Sequence, residues 1–372
     1  MSVTSEPVIL EISALVELFT ALKGEGFTTV GPTVRDQAIV YEEIESPDEL
    51  PIGWTEEQEG GSYRLKRRQD EARFGFTVGP HSWKKFLHAP NVKLFGATRS
   101  EEGWTFDEPE EPPRYAFIGV RSCELHAIAI QDRVFMGGPT VDRHYQARRQ
   151  PAFVVAVNCG VAAKTCFCAS MNTGPKVSLA CDLQLTEIIN GDAHHFVCEA
   201  GTDAGRRLLE QLDPRQAEAG EIDAAERLVQ ATTESMGREL DTDGLKELFY
   251  ANLEHPRWED VASRCLTCAN CTMVCPTCFC TTVEEVTDLT GDHAERWRRW
   301  DSCFTMDFTQ MHGGGARQST KSRYRQWLTH KLASWHDQFE SSGCVGCGRC
   351  ITWCPVGIDL TEEVKAIRES QT

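Results

Sequence analysis

The sequence predicts an α+β protein in which an N-terminal α/β domain, a helical connecting segment and a cysteine-rich C-terminal domain follow one another. Three observations predict this arrangement: two continuous apolar runs typical of buried strands, a stretch rich in Ala, Glu, Leu and Arg, and the concentration of 11 of the 17 cysteines between residues 265 and 354. We place the limits of the three parts at residues 1–200, 201–256 and 257–372.

Length and composition describe a folded protein. The 372 residues are 41% hydrophobic and 25% charged, which is average for globular proteins and excludes wholesale disorder. A net charge of −18 argues against a general nucleic-acid binder, because binding to phosphates needs clustered Lys and Arg. No apolar run reaches the roughly 18–20 residues that span a bilayer, and no basic segment opens a secretory signal. We therefore expect a soluble, cytoplasmic protein with neither a membrane nor a nucleic acid as partner.

The cysteine count is odd, so at least one cysteine is unpaired under any disulfide scheme. Dense cysteines in a large chain without a secretory signal more often bind metal than form disulfides. The composition alone thus favours a metalloprotein in a reducing compartment.

Residues 1–110 mix short apolar runs with acidic turns. Ile12–Leu22 has the pattern of an amphipathic helix that ends at Gly24, and residues 42–61 are interpreted as a loop because prolines and glycines interrupt them. We predict no chemistry for this part of the chain.

Two apolar runs further on, Tyr115–Val120 and Phe153–Val157, predict strands that are buried on both faces, as in a parallel sheet covered by helices. The stretch Glu124–Phe135 between them has a helical pattern. Cys123 and Cys159 come directly after the two strands. Because open α/β sheets bind their ligands at the carboxyl ends of strands, both cysteines are candidates for chemistry.

The connecting segment, residues 202–253, has apolar residues at helical spacing. It predicts two or more helices that break near Pro214 and Gly220. The cysteine-rich domain begins after it, near residue 257.

The cysteines of the C-terminal domain form two runs with the same spacing. Each run reads Cys-x2-Cys-x2-Cys-x3-Cys-Pro, and the two begin at residues 265 and 344. Bacterial two-cluster ferredoxins use this spacing: three thiolates bind one [4Fe–4S] cluster, and the fourth reaches the other cluster. The expected ligands of one cluster are Cys265, Cys268, Cys271 and Cys354. Those of the other are Cys344, Cys347, Cys350 and Cys275.

Structural zinc sites are the alternative. Zinc favours CxxC pairs separated by a longer spacer, whereas each run packs four cysteines into 11 residues. We therefore predict two [4Fe–4S] clusters in a bacterial-type, ferredoxin-like domain with a long insertion at residues 276–343. Such clusters exchange single electrons and form a relay, but they do not identify a substrate.

Four further cysteines predict a third [4Fe–4S] cluster. Cys166 and Cys168 follow Cys159 closely and Cys123 follows the neighbouring strand, so the four could converge at one edge of the sheet. The alternative is that some of them are buried small hydrophobes, as free cysteines often are. Their spacing is not a standard cluster motif, and the sequence leaves both alternatives open.

The remaining cysteines have no clear ligand pattern. Cys181 and Cys198 are expected to be packing residues. Cys278, Cys280 and Cys303 offer only three thiolates, so we favour packing around the clusters over an additional metal site.

A basic stretch lies inside the long insertion. Residues 308–336 hold five Lys and Arg and no Asp or Glu, in a chain that is acidic as a whole. The stretch either docks an acidic partner, offsets the negative charge of the cluster thiolates, or is a solvated helix face.

Eight strings of residues match one family pattern: Gly119–Ile128, Asn158–Cys168, Met171–Pro175, Leu185–Glu187, Cys265–Cys280, Trp300–Cys303, His330–Lys331 and Gly343–Cys350. They resemble the iron–sulfur β subunits of cytoplasmic sulfhydrogenases and the related A subunit of anaerobic sulfite reductase, both of the 4Fe-4S dicluster family. The resemblance runs from about residue 115 to 360. Ser122 replaces a proline of that pattern and Ala269 replaces a glycine, but neither change removes a thiolate.

The resemblance implies an electron-transfer subunit of a soluble, multi-subunit, NAD(P)-linked nickel–iron hydrogenase. Its expected partners are a flavin- and NAD(P)H-binding reductase subunit and the small and large hydrogenase subunits. In the sulfite reductase alternative, the final partner carries sirohaem. The chain has no GxGxxG fingerprint after a strand and no paired CxxC motifs of a nickel–iron site, so we expect a relay without catalytic residues of its own.

Two interpretations of another class remain. As a self-contained enzyme, the chain would bind substrate at an open iron near Cys159. As a redox or iron sensor, it would lose exposed clusters in air. The acidic charge and the lack of a helix-turn-helix pattern argue against direct control of DNA.

Overall fold

The computed structural model describes residues 6–107, 111–191 and 193–370. Its strands are β1 Val8–Glu11, β2 Thr28–Arg35, β3 Ala38–Glu43, β4 Trp54–Glu59, β5 Ser62–Arg67, β6 Asn91–Ser100, β7 Gly103–Phe106, β8 Tyr115–Val120, β9 Phe153–Val157, β10 Leu183–Asn190, β11 Ala193–Ala200, β12 Arg215–Gln216, β13 Thr281–Thr287, β14 His293–Trp300, β15 Gln310–Met311 and β16 Gly314–Gly315.

Its α-helices are α1 Ala14–Gly24, α2 Lys84–Leu87, α3 Ser122–Met136, α4 Arg143–Arg149, α5 Asp203–Gln211, α6 Ala219–Glu234, α7 Leu245–Ala251, α8 Arg257–Arg264, α9 Asn270–Met273, α10 Thr320–Thr329, α11 Trp335–Phe339, α12 Arg349–Thr352 and α13 Leu360–Glu369. Short 3-10 turns lie at Pro47–Glu49 and Asp307–Thr309, and a π-helical turn lies at His330–Ser334. The prediction of an α+β protein is confirmed.

Eight strands form the main sheet, in the order β12-β1-β11-β10-β9-β8-β2-β3. The central strands β2, β8, β9 and β10 run parallel, and their outer neighbours pair antiparallel. Every residue of β8 and β9 is buried, within the limits that the sequence predicts. Helices α1 and α5 pack on one face of these strands, and α3 packs on the other. Because helices cover both faces of the sheet, both strands are apolar throughout.

The predicted helices are present. The helix expected at Ile12–Leu22 is α1, and the one expected at Glu124–Phe135 lies within α3. The connecting segment holds α5, α6 and α7, and its first break includes Pro214 as predicted. Gly220 lies in the first turn of α6, so the break predicted there is wrong.

The prediction of a loop at residues 42–61 is wrong in its second half. Trp54–Glu59 is strand β4, which pairs with β5 around a turn at Gly60 and Gly61. Its sequence is polar and lacks apolar alternation, so the strand depends on its partner and on tertiary contacts. The turn packs on the second cysteine run, where Gly61 N donates to Ile351 O at 3.1 Å.

A second sheet joins distant parts of the chain. Its strand order is β13-β14-β6-β7, so two strands of the long insertion pair with two strands from the first third of the sequence. The insertion is therefore not an isolated excursion of the cysteine-rich domain. The domain limits stated above stay a prediction.

The C-terminal third has its own hydrophobic core. Trp258 of α8, Leu328 of α10 and Val364 of α13 are buried in it together with the aromatic side chains of Phe249 and Trp327. Cysteines of both runs lie against this core. Within the described residues, no helix is both long and apolar enough to cross a membrane.

Candidate iron–sulfur sites

The two cysteine runs fold into loops with the same backbone conformation. In the first loop Thr267 and Ala269 have positive φ angles of 51° and 64°, and in the second Gly346 and Gly348 have φ angles of 64° and 75° at the equivalent places. A short helix follows each loop, α9 after the first and α12 after the second. The repeat in the sequence is therefore also a repeat in structure.

The first site is a cavity lined by cysteines of both runs: Cys265, Cys268, Cys271 and Cys354. Spacing predicts this same group. Apolar side chains complete the wall, among them Phe304, Trp327 and Ile358. Backbone N–H groups donate to two sulfurs, from Thr267 to Cys265 Sγ at 3.4 Å and from Ile358 to Cys354 Sγ at 3.3 Å. Four sulfur donors in an apolar cavity with N–H···S bonds fit a [4Fe–4S] cluster.

The second site is a cavity lined by the other predicted group: Cys275, Cys344, Cys347 and Cys350. Gly346 N donates to Cys344 Sγ at 3.5 Å, the equivalent of the Thr267 contact in the first site. Cys350 lines both cavities, so the two sites are immediate neighbours. The structure thus brings together both expected sets of four thiols, while their binding of iron stays a prediction.

The two sites differ in their exposure. Cys268 is exposed, and Leu266 and Val356 beside it are 60% and 41% exposed. Cys275 and Cys344 of the second site are buried. The first site therefore reaches the surface, and the second lies deeper.

The four cysteines of the proposed third site are also brought together. Cys123 lies in the first turn of α3, just after β8, and Cys159 lies just after β9. Burial raises the pKa of the Cys168 thiol, and the nearby sulfurs of Cys166, Cys159 and Cys347 raise it further. The sulfurs of Cys168 and Cys159 likewise raise the pKa of the Cys123 thiol, because they lie near it. The third group therefore lies beside Cys347 of the second site.

Backbone contacts hold the third group against the second site. Phe167 N donates to Gly346 O at 2.9 Å, and a Cβ on Gly346 would lie 2.6 Å from Phe167 O. A Cβ on Gly348 would lie 2.4 Å from Thr165 O. Glycine is required at both positions because the chain between Thr165 and Cys168 passes too close for any side chain.

Buried cations surround the sites. Lys331 Nζ donates to Cys275 Sγ at 3.2 Å, and Arg323 Nη1 donates to Phe304 O at 2.9 Å behind the first site. Both residues belong to the basic stretch at 308–336, and the side chains of both are buried. Lys321 and Arg325 of that stretch pair with acidic residues of this chain, including Glu254. Four of the five basic residues of the stretch therefore contact groups of this chain.

Two further buried charges meet between the second and third sites. Arg349, next to Cys350, forms an ion pair with Glu124, next to Cys123. Arg121 lies beside Cys159 and donates to the carbonyls of Phe74 and Phe76, both at 2.8 Å, and of Asn158. The sequence analysis did not single out these residues, because their partners are distant in the sequence.

Most of the cysteine thiols are hard to ionise in the iron-free chain. Burial raises the pKa of Cys166 and of Cys344 to about 12, and it raises the pKa of Cys271 and Cys350. In contrast, the Cys278 thiol and the Lys331 ammonium hold the pKa of Cys275 well below the usual range. Because iron binds thiolates, cluster assembly must release protons from the buried thiols.

The other cysteines lie where packing predicts. Cys198 is in the core of the main sheet, and Cys181 is buried in the loop that precedes β10. Cys278 contacts Cys275, and the thiol of Cys303 donates to Cys280, which lowers the pKa of Cys280 to about 7. None of the 17 cysteines, all of which lie in the described part of the chain, forms a disulfide bond. Within the described part of the chain, no three Cys, His, Asp or Glu side chains are spaced to hold a single metal ion.

Comparison with known proteins supports the cluster sites. Residues 264–358 match the family model of the 4Fe-4S dicluster domain, which indicates at least two [4Fe–4S] clusters. The chain is 28% identical over 368 residues to sulfhydrogenase 2 subunit beta of Pyrococcus furiosus, and the alignment covers 95% of this chain and 96% of that protein. No solved structure matches the chain. The resemblance predicted from the motifs is therefore confirmed.

Proposed function

We propose that the chain is the electron-transfer subunit of a soluble nickel–iron hydrogenase in the cytoplasm. It passes electrons between a flavin- and NAD(P)H-binding reductase subunit and the hydrogenase module of a small and a large subunit. Three [4Fe–4S] clusters carry the electrons, at the first, second and third sites. The similarity to a sulfhydrogenase β subunit over nearly the whole chain supports this choice.

The observation that carries the proposal is the order of the three sites. Cys350 lines both the first and the second cavity, and Cys347 of the second lies beside Cys166 and Cys168 of the third. Consecutive sites thus share or touch the same loop, with the second in the middle. A row of neighbouring sites suits a relay better than a single catalytic centre.

The chain's own residues position the sites and set their surroundings. When bound, [4Fe–4S] clusters exchange single electrons with little change in geometry. Phe304 and Trp327 keep water from the first site, and the N–H groups of Thr267 and Gly346 donate to thiolate sulfurs at the first and second sites. Because Cys268 is exposed, we infer that a partner subunit exchanges electrons with this chain at the first site.

Iron analysis of anaerobically purified protein tests the cofactor assignment. We expect about twelve irons in the wild type, because three clusters hold four each. Cys268→Ser and Cys166→Ser should each lose about four, from the first and the third site respectively. Cys198→Ser is the matched control, since this buried thiol lies in the main sheet away from the sites, and it should keep full iron. Unchanged iron in Cys268→Ser would contradict the assignment.

Co-purification of the native complex tests the partners. Mass spectrometry should identify a flavoprotein and nickel–iron hydrogenase subunits bound to the chain. A sirohaem protein in their place would favour the sulfite reductase alternative. Hydrogenase activity of the purified chain alone would contradict a relay role.

A further inference from the structure

Lys331 lies buried beside the second site. Its side chain is 3% exposed, although lysine is almost never fully buried without a partner. The residue belongs to the π-helical turn His330–Ser334, between Trp327 and Trp335, whose ring centres lie 5.9 and 6.0 Å from Nζ. Single π turns occur often at functional sites. The position therefore needs a specific explanation.

The three hydrogens of the ammonium have three near partners. Nζ donates to Cys275 Sγ at 3.2 Å, to Thr277 Oγ1 at 3.2 Å and to Gly343 O at 3.1 Å. The hydroxyl and the carbonyl are neutral, so they satisfy hydrogen bonds without cancelling the charge. The remaining partner is the sulfur of Cys275, which carries negative charge when it is a thiolate ligand. The positive charge of Lys331 is thus directed at this thiolate.

We propose that Lys331 raises the redox potential of the second site. This inference rests on the proposed function, because it takes Cys275 as a cluster ligand. Reduction adds one negative charge to the cluster and its thiolates. A fixed positive charge a few ångströms away in a low-dielectric interior stabilises the reduced form more than the oxidised form, which raises the potential.

The other buried cations near the sites have different surroundings. Arg121 contacts a sulfur of the third site, Cys159. Arg349 contacts the Cys347 sulfur of the second site, but its charge is paired with the carboxylate of Glu124. Arg323, behind the first site, donates to Phe304 O and Ser319 O and to none of the sulfurs. Lys84 donates to the carbonyl of Cys278 at 3.2 Å, and its ammonium lies over the ring of Trp300. Of the two ammonium groups near the second site, only Lys331 donates to a ligand sulfur, whereas Lys84 donates to carbonyls.

The test is a potentiometric titration of the purified full chain, followed by electron paramagnetic resonance. Lys331→Met should shift the potential of one cluster downward and leave the others unchanged, with wild-type iron content. Lys331→Arg, which keeps the charge, should give a smaller shift. Lys246→Met is the matched control: it removes the same charge from a surface pair with Asp337, and it should shift nothing. Wild-type potentials in an iron-replete Lys331→Met protein would overturn the inference.

A second measurement does not depend on how well the methionine variant folds. Wild-type protein grown with ¹⁵N-labelled lysine should show a ¹⁵N hyperfine coupling in pulsed resonance spectra of the reduced second site, through the N–H···S bond of Lys331. Absence of that coupling would overturn the inference while the proposed function stands. Wild-type protein that binds no iron would overturn both.

Discussion

Arg349 and Glu124 form an ion pair that water does not reach, since their side chains are 0% and 1% exposed. Arg349 precedes the second-site cysteine Cys350, and Glu124 follows the third-site cysteine Cys123. The other carboxylate oxygen of Glu124 accepts hydrogen bonds from Tyr41 and Trp83. One buried carboxylate thus connects the main sheet, the helix that carries Cys123 and the second cysteine loop.

Arg349→Met should destabilise the protein by about 3–5 kcal/mol, because it leaves the Glu124 carboxylate buried and uncompensated. The urea midpoint of the anaerobically purified protein measures this loss. Lys246→Met breaks a pair with Asp337 at the surface and should cost about 1 kcal/mol or less. Equal effects of the two substitutions would show that the buried pair has no special role.

The sequence predicted the parts of the site that depend on local spacing. Local spacing predicts the two groups of four cysteines. Apolar periodicity predicts helix α3 and the strands before Cys123 and Cys159. The third group converges because parallel strands end at one edge of a sheet, and topology rules anticipate this. Such features need no knowledge of distant contacts.

Features that depend on distant contacts could not be predicted. Glu124 and Arg349 are 225 residues apart in the sequence, and no local pattern relates them. The hairpin of β4 and β5 has a polar sequence, and its turn at Gly60 and Gly61 packs on Gly357. Lys331 was noticed only as one member of a basic stretch. Its buried position depends on a π-helical turn that the sequence alone does not predict.

Equivalent positions in the two cysteine loops should respond in opposite ways to substitution. Ala269 holds a positive φ of 64° without glycine, so Ala269→Gly should stabilise the protein by about 1 kcal/mol. Gly348→Ala introduces a Cβ only 2.4 Å from Thr165 O and should destabilise it by at least about 2 kcal/mol.

Urea midpoints of the anaerobic proteins check both signs. Gly291→Ala is the control for Gly348→Ala, because Gly291 has the same φ of 75° but no atom within 4 Å of its Cβ position. If Gly348→Ala cost no more than Gly291→Ala, the close packing of the two loops would be disproved.

The iron-free chain should lose stability in alkaline solution. Burial raises the pKa of Cys166, Cys181 and Cys344 to about 12 in the folded state, whereas an unfolded thiol has a pKa of about 8.5. Above that value the folded chain binds more protons than the unfolded chain, so the free energy of unfolding falls as pH rises toward the folded pKa.

Urea unfolding under reducing conditions between about pH 7 and pH 10 measures this fall. Cys181→Ala, which removes a thiol that is not an expected ligand, should make the dependence on pH shallower. A free energy of unfolding that stays constant or rises over this range would contradict the burial of these thiols.

Arg121 should be needed for the third site alone. Its guanidinium lies beside Cys159 and ties the end of β9 to the chain at Phe74 and Phe76 through three backbone carbonyls. Arg121→Met leaves these buried carbonyls without a donor, at about 1–3 kcal/mol each, and removes the cation nearest Cys159. We expect the variant to lose about four irons and to keep the eight of the first and second sites.

Arg133→Met is the matched control, because Arg133 is a partly exposed residue of the same helix region that donates to one carbonyl, and it should keep all iron. Loss of iron from all three sites in Arg121→Met, or from none, would show that Arg121 does not act on the third site specifically.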